Sequence, residues 1–219
     1  KDFLPHTAHD VEQMWARTLE ILRQINHPDS LAIVAAFIHD KEFVGRFKEA
    51  PAARTNHHAF IGGLLEHTLA LLELAVIILP RYPRVSSDLV LAGIFLHDAG
   101  KTAELGFATS FNYTTEGQLL GHIVQVSLWV QEKVRQIEAQ SQRLLSRDVV
   151  TALLHIIVAH HGKYEFGSPK LPATAEAIMV HHLDNLDAKL NMLFGAIDAD
   201  PDVTSEWTAW VSALETKVY

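Results

Sequence analysis

Across most of this 219-residue chain the apolar residues recur at three- and four-residue spacing, and no stretch alternates convincingly with period two. The first spacing lines one stripe of a helix, whereas a half-buried strand needs the second, so the pattern predicts an all-α fold. Helices are expected over about 10–26, 30–49, 59–79, 87–99, 117–140, 147–161, 174–198 and 203–217, a bundle of about eight. Pro28, Pro51, Pro80 with Pro83, and Pro169 with Pro172 fall between them. Ser30, Ser87, Ser146 and Thr174 are candidate N-caps. The 59–79 stretch is apolar nearly all round and should run through the middle of the bundle. Val203, Trp207, Trp210 and Leu214 make a stripe at helical spacing, read as a C-terminal helix docked on the body or on a second copy of the chain. Residues 1–9 read as a linker.

With 48% hydrophobic residues and no internal repeat, low-complexity tract or dividing linker, residues 1–219 are expected to form one domain around one core. The absence of cysteine excludes disulfides and thiolate metal sites and fits a reducing compartment. The apolar run Leu69 to Leu79 is short for a bilayer and contains Glu73, and Lys1-Asp2 does not open a signal-peptide pattern. The expectation is a soluble cytoplasmic protein without a membrane partner. Its start on Lys1 rather than Met points to a piece of a longer chain with modules upstream. A net charge of −8 argues against a surface that grips nucleic acid by phosphate neutralisation alone, although bound divalent cations would reverse this locally.

Fourteen histidines are scattered through the chain without a tag-like tract. In order it offers His67, His97-Asp98, His122, His160-His161 and Asp184, each on a different expected helix. Imidazoles and carboxylates suit borderline and hard divalent ions, and this set suffices for two ions sharing one carboxylate, naturally Asp98. His97-Asp98 is followed by Ala99-Gly100 and His160-His161 by Gly162, glycines that read as helix C-caps. Adjacent residues on a helix diverge by about 100°, so a pair faces one point most easily where the helix ends, at the pole that favours a cation. A lone histidine such as His67 is more often a core residue than a ligand, but the ordered set outweighs that reading. A second pair, His39-Asp40, runs into Lys41-Glu42-Phe43 with no glycine to end the helix and no unused ligands downstream. It is read as a solvated helix face.

The ordered pattern His, His-Asp, Asp on a helical bundle resembles the HD superfamily of metal-dependent phosphohydrolases, over His57 to Asp184. The added His122 and His160-His161 are similar to its two-metal phosphodiesterase-like members. That resemblance implies an HD-type helical bundle in which His67, His97, Asp98 and Asp184 bind one ion and Asp98, His122, His160 and His161 the other. The stretches His57 to Thr68, Phe95 to Lys101, Glu116 to His122 and Asp184 to Lys189 look like YhaM-type bacterial 3′→5′ exoribonucleases. Such proteins carry an OB-type nucleic-acid-binding module ahead of the HD domain, for which this chain has no room. Cyclic dinucleotide phosphodiesterases of the HD-GYP kind share the HD-x-Gly-Lys stretch and the double histidine, but imply Glu where Gly162 stands and Tyr where Ser168 stands.

Lys101 is expected to steady charge on a substrate phosphate, making Asp98 and Lys101 the candidate catalytic pair. Arg54, Asn56, His57 and His58, in the loop before the 59–79 helix, could contact phosphate, with turn or capping duty as the alternative. Tyr164 and Phe166 could stack on a base or pack under a loop. Glu66, His181 and Asp187 flank the ligands and could orient them. Two cations about 4 Å apart would make a nucleophilic hydroxide from water at neutral pH and clamp the phosphoryl oxygens. The expected activity is 3′→5′ exonuclease cleavage of short single-stranded RNA or DNA. A phosphohydrolase of a small nucleotide or cyclic dinucleotide comes second, and a nucleotide-sensing module with structural metals third. Manganese, iron, zinc, cobalt and nickel all suit the ligand set.

Overall fold

The computed structural model describes residues 4–54, 58–107, 110–201 and 205–219. All the principal helices but one begin where a side chain replaces a missing backbone acceptor. Asp10 caps α1 (Val11–Leu22), His27 caps α2 (Pro28–Ile38) and Asp40 caps α3 (Lys41–Glu49). Gly62, at φ 85°, turns the chain into α4 (Gly63–Ile78), and Ser86 caps α5 (Ser87–Leu96). After the single turn α6 (Lys101–Glu104), Thr114, Ser146 and Thr174 cap α7 (Thr115–Ser141), α8 (Arg147–Ala159) and α9 (Ala175–Ala199). The expected caps Ser146 and Thr174 thus hold, Ser87 is replaced by its neighbour Ser86, and Ser30 lies inside a helix opened by His27 and Pro28.

The all-α reading is correct at the level of class and differs in three places. The expected 30–49 helix is two helices, because Asp40 Oδ1 accepts the Phe43 N–H at 3.1 Å and restarts the chain there. A two-stranded antiparallel ribbon, β1 (Leu105–Gly106) with β2 (Asn112–Tyr113), joins α6 to α7. The expected helix over 203–217 is not formed by its described residues: Ser212–Leu214 make one 3-10 turn, and Val211 pairs with Thr216 across it. Local side chains compete with a helix there, Ser205 Oγ accepting the Trp207 N–H at 3.0 Å and Thr208 Oγ1 the Val218 N–H at 3.2 Å. Val203 lies outside the described residues, and Trp207 packs on Tyr219 rather than joining a stripe. Nor are the described residues of 1–9 a free linker, since Ile61 N–H donates to Pro5 O at 2.8 Å and Thr7 N–H to Ile61 O at 2.9 Å.

The core is layered around α5, seven of whose ten residues are buried, with α2, α4, α8 and α9 against it. Phe37, Phe43, Phe47, Phe95 and Trp15 fill one side as a chain of tilted and edge-on rings, with Phe47 and Phe95 centroids 5.4 Å apart. By length and composition Gly63–Arg81 could cross a membrane, a longer stretch than the apolar run read from the sequence. Its packing against α1, α3, α5 and α9 makes it a core helix, although α5 is the more enclosed. On the other side α5 and α8 meet closely at Gly93, where a Cβ would lie 2.7 Å from Ile156 Cγ2. Each contact residue stands one helical turn before a histidine, His97 and His160, so the close crossing brings both helix ends to one place.

Candidate metal centre

His97 and His160 close α5 and α8, and each donates its Nδ1–H to the carbonyl three residues back, Ile94 O and Ile157 O, at 2.7 Å. That bond fixes the tautomer and aims the Nε2 lone pair outward from the helix end. Three other histidines are anchored through the same atom. His161 Nδ1–H donates to Phe166 O at 2.8 Å, His67 on α4 to Asp187 Oδ2 at 2.7 Å, and His122 on α7 to Glu104 Oε2 at 3.0 Å.

The Nε2 atoms of His67, His97, His122 and His160 converge on Asp98, and its two oxygens divide them. Oδ2 faces His97 Nε2 at 3.4 Å and His67 Nε2 at 3.8 Å, and Asp184 Oδ1 lies 3.2 Å from His67 Nε2. Oδ1 faces His122 Nε2 at 3.4 Å and His160 Nε2 at 3.5 Å. Nε2 of His97, His122 and His160, together with Asp98 Oδ1, are buried without a hydrogen-bond partner among the described residues. Buried polar atoms rarely go unsatisfied, and these four face one another. His67, His97 and Asp184 offer donor atoms within 4.8 Å of each other, as do His122, His160 and His161. The donor chemistry, its burial and the four unpartnered atoms fit divalent metal ions.

Electrostatics prepare the set. Burial raises the Asp98 carboxyl, but the Lys101 ammonium, its Nζ 2.6 Å from Oδ2, and His97 hold it well below the usual carboxylate range. Asp184 is likewise lowered against its burial by His67. Burial lowers His160, and burial together with the neighbouring His160 lowers His161 to about 4. His67 goes the other way: burial pulls it down, and the hydrogen bonds to Asp184 and Asp187 push it up to about 9. It therefore holds a proton that an incoming cation would displace.

The seven residues expected as ligands are thus gathered in one place, whereas the flanking expectations divide. Asp187 braces His67, and His181 donates its Nδ1–H to His160 O at 2.8 Å. Glu66 bonds Thr7 and lies 3.6 Å from His58, one step further out. His58 is not among the residues lining the cleft at Asp98: it is buried, and its Nε2 lies 3.2 Å from Asp187 Oδ2. Arg54 is exposed, and Asn56 and His57 lie outside the described residues. Tyr164 points to solvent on a 3-10 turn, while Phe166 of the same turn lines the cleft. Gly100 is not a left-handed cap, its φ being −63°; it is small because a Cβ would lie 2.2 Å from His122 O. Gly162 is left-handed, at φ 77°. Glu104 escaped the sequence reading, since its partner is eighteen residues away and no periodicity joins them.

His39 and Asp40 lie away from this centre, Asp40 capping α3 and pairing with Lys133 Nζ at 2.8 Å. His27 and His155 likewise serve the backbone, accepting N–H groups of Asp29 and Ala173.

The chain is 37% identical to the 3′-5′ exoribonuclease YhaM of Geobacillus sp. (strain WCH70) and 36% identical to that of Bacillus subtilis (strain 168). Both matches take in 100% of this chain but only 64% and 66% of the relatives' length. No solved structure matches. The HD domain family matches residues 64–189, the stretch that begins at α4 with His67 and ends just beyond Asp184 on α9. A helical bundle whose histidines and aspartates come from α4, α5, α7, α8 and α9 and meet at the His97-Asp98 step agrees with that match, and the chain belongs to the HD domain family.

Proposed function

We propose that this chain is the catalytic domain of a metal-dependent 3′→5′ exonuclease that releases mononucleotides from short single-stranded RNA or DNA. The carrying observation is the divided carboxylate of Asp98, with His67 and His97 on its Oδ2 side and His122 and His160 on its Oδ1 side. His67, His97, Asp98 and Asp184 would hold one divalent ion, and Asp98, His122, His160 and His161 a second. When bound, such a pair supplies a nucleophilic water at neutral pH and offsets charge on the phosphoryl oxygens.

The remaining residues bind and orient. Lys101, held on Asp98 and largely buried, puts a cation at the floor of a cleft of about 540 Å³, where it would steady a phosphate. Asn185 and Lys189 line the same cleft from α9, and Phe166 presents a half-exposed ring on which a base could stack. The net charge of −8 and the greater length of the relatives support an OB-type module, outside residues 1–219, as the part that grips the strand. The bacterial cytoplasm is the compartment this reading assigns.

A second reading, hydrolysis of a small nucleotide, is favoured by the size of the cleft and by Ala213 of the C-terminal segment on its wall. The metal-loaded protein should shorten a 5′-labelled oligonucleotide in single-nucleotide steps and leave nucleoside monophosphates intact. Absence of ladders with manganese, iron, zinc, cobalt and nickel would sink the exonuclease reading, and hydrolysis of dinucleotides alone would favour the second.

A further inference from the structure

Glu104 receives both N–H groups of one residue: the His122 backbone N–H donates to Oε1 at 3.1 Å and its Nδ1–H to Oε2 at 3.0 Å. That double contact requires the His122 amide to be free of the helix. Gly121 frees it by leaving helical geometry at φ 72°, ψ 160° in the first turns of α7. The surrounding backbone is packed to keep Glu104 in place. Its carbonyl accepts the Thr114 N–H at 2.9 Å, and Gly117 lies so close that a Cβ would be 2.3 Å from Glu104 O. Gly100, at the other end of α6, makes the same kind of close contact with His122 O.

From this geometry we infer that Glu104 is a positioning residue for the ion on the Oδ1 side of Asp98, aiming His122 Nε2 and keeping Nδ1 protonated. The inference rests on the ion-binding reading above. It also separates the two ions. Asp187 braces His67 on the Oδ2 side and Glu104 braces His122 on the Oδ1 side, while His97, His160 and His161 rely on backbone carbonyls. A carboxylate behind a ligating imidazole fixes its orientation and raises its basicity. Each ion therefore has one charged brace of its own, and removing Glu104 should weaken one ion and spare the other.

The test uses the full chain stripped with chelator and titrated with Mn²⁺ by calorimetry, with metal content measured after gel filtration. Wild type should bind two equivalents. Glu104→Gln, whose amide can accept only one of the two N–H donors, should keep one equivalent at wild-type affinity and bind the other about 10- to 100-fold more weakly. His122→Ala should weaken the same equivalent, and the double variant should lose nothing further, since both changes remove one interaction. Should Glu104→Gln fail to fold by circular dichroism, Glu104→Asp, one methylene too short to reach both donors, carries the same expectation. Two equivalents at unchanged affinity in the variant would overturn the role of Glu104 while leaving the ion-binding reading intact, and so would loss of both equivalents from a folded variant. Failure of wild type to take up Mn²⁺, Zn²⁺ or Co²⁺ would instead remove the reading on which it rests.

Discussion

Gly162 lies flat against the imidazole of His181: a Cβ built on it would fall 2.0 Å from the ring's Cε1. The contact holds the end of α8 against α9, because His181 also donates to the carbonyl of His160 at 2.8 Å. Gly162→Ala would meet two penalties, a left-handed φ of 77° and a ring with nowhere to go. Overpacking of this kind costs about 1–3 kcal/mol. A fall in Tm of about 5 °C or more is expected from differential scanning calorimetry, with loss of metal from the His160-His161 side.

Asp98→Ala removes both carboxylate oxygens at once. Metal analysis should find neither ion at stoichiometric level, and the proposed nuclease activity should be absent, whereas Lys101→Met should retain metal and lower the rate of that activity. A variant at Asp98 that still bound two equivalents would show that the two sites do not share this carboxylate.

His39-Asp40 provides the matched control. His39→Ala should change neither metal content nor activity. Asp40→Asn keeps an N-capping side chain but loses the Lys133 ion pair, which is partly exposed and worth about 1 kcal/mol or less. Urea unfolding should therefore shift slightly while metal content stays unchanged.

Away from the centre, Asp29 is expected to contribute to acid stability. Its buried carboxylate accepts the Ser146 N–H at 2.8 Å and pairs with Arg143 at 2.6 Å, joining α2 to the start of α8. The Ser146 N–H and the Arg143 guanidinium lower its pKa against burial. A group lowered in the folded state stabilises above its unfolded pKa and loses that contribution as pH falls through the folded value. Wild type should therefore lose stability below about pH 4. Asp29→Asn should be less stable than wild type at pH 7 by about 1.5–3 kcal/mol, the range for hydrogen bonds to a charged group. Denaturant midpoints across pH should show the two proteins converging as the medium is acidified; a constant gap would contradict the assignment.

Helical class and the ordered donors were legible in the sequence because both depend on short-range pattern: apolar spacing of three and four, and His or Asp beside helix-ending residues. The break at Asp40 was hidden by apolar periodicity continuing across an N-cap, and the failed 203–217 helix by Trp and Leu at a spacing that local Ser and Thr hydrogen bonds override. Gly100 looked like a cap and is a spacer, a difference that depends on the carbonyl of His122.

By itself, then, the sequence determined that the chain is helical, that its candidate metal donors are imidazoles and carboxylates rather than thiols, and that His97-Asp98 is among them. Tertiary structure alone decided which oxygen of Asp98 faces which histidine, that Glu104 stands behind His122 and Asp187 behind His67 and His58, and that His58 turns inward while Phe166 lines the cleft. The reason is range. Periodicity reports which face of a helix is buried, but the direction of a carboxylate and the partner of an imidazole are set by helices eighteen to over a hundred residues apart meeting at contacts closed by glycine.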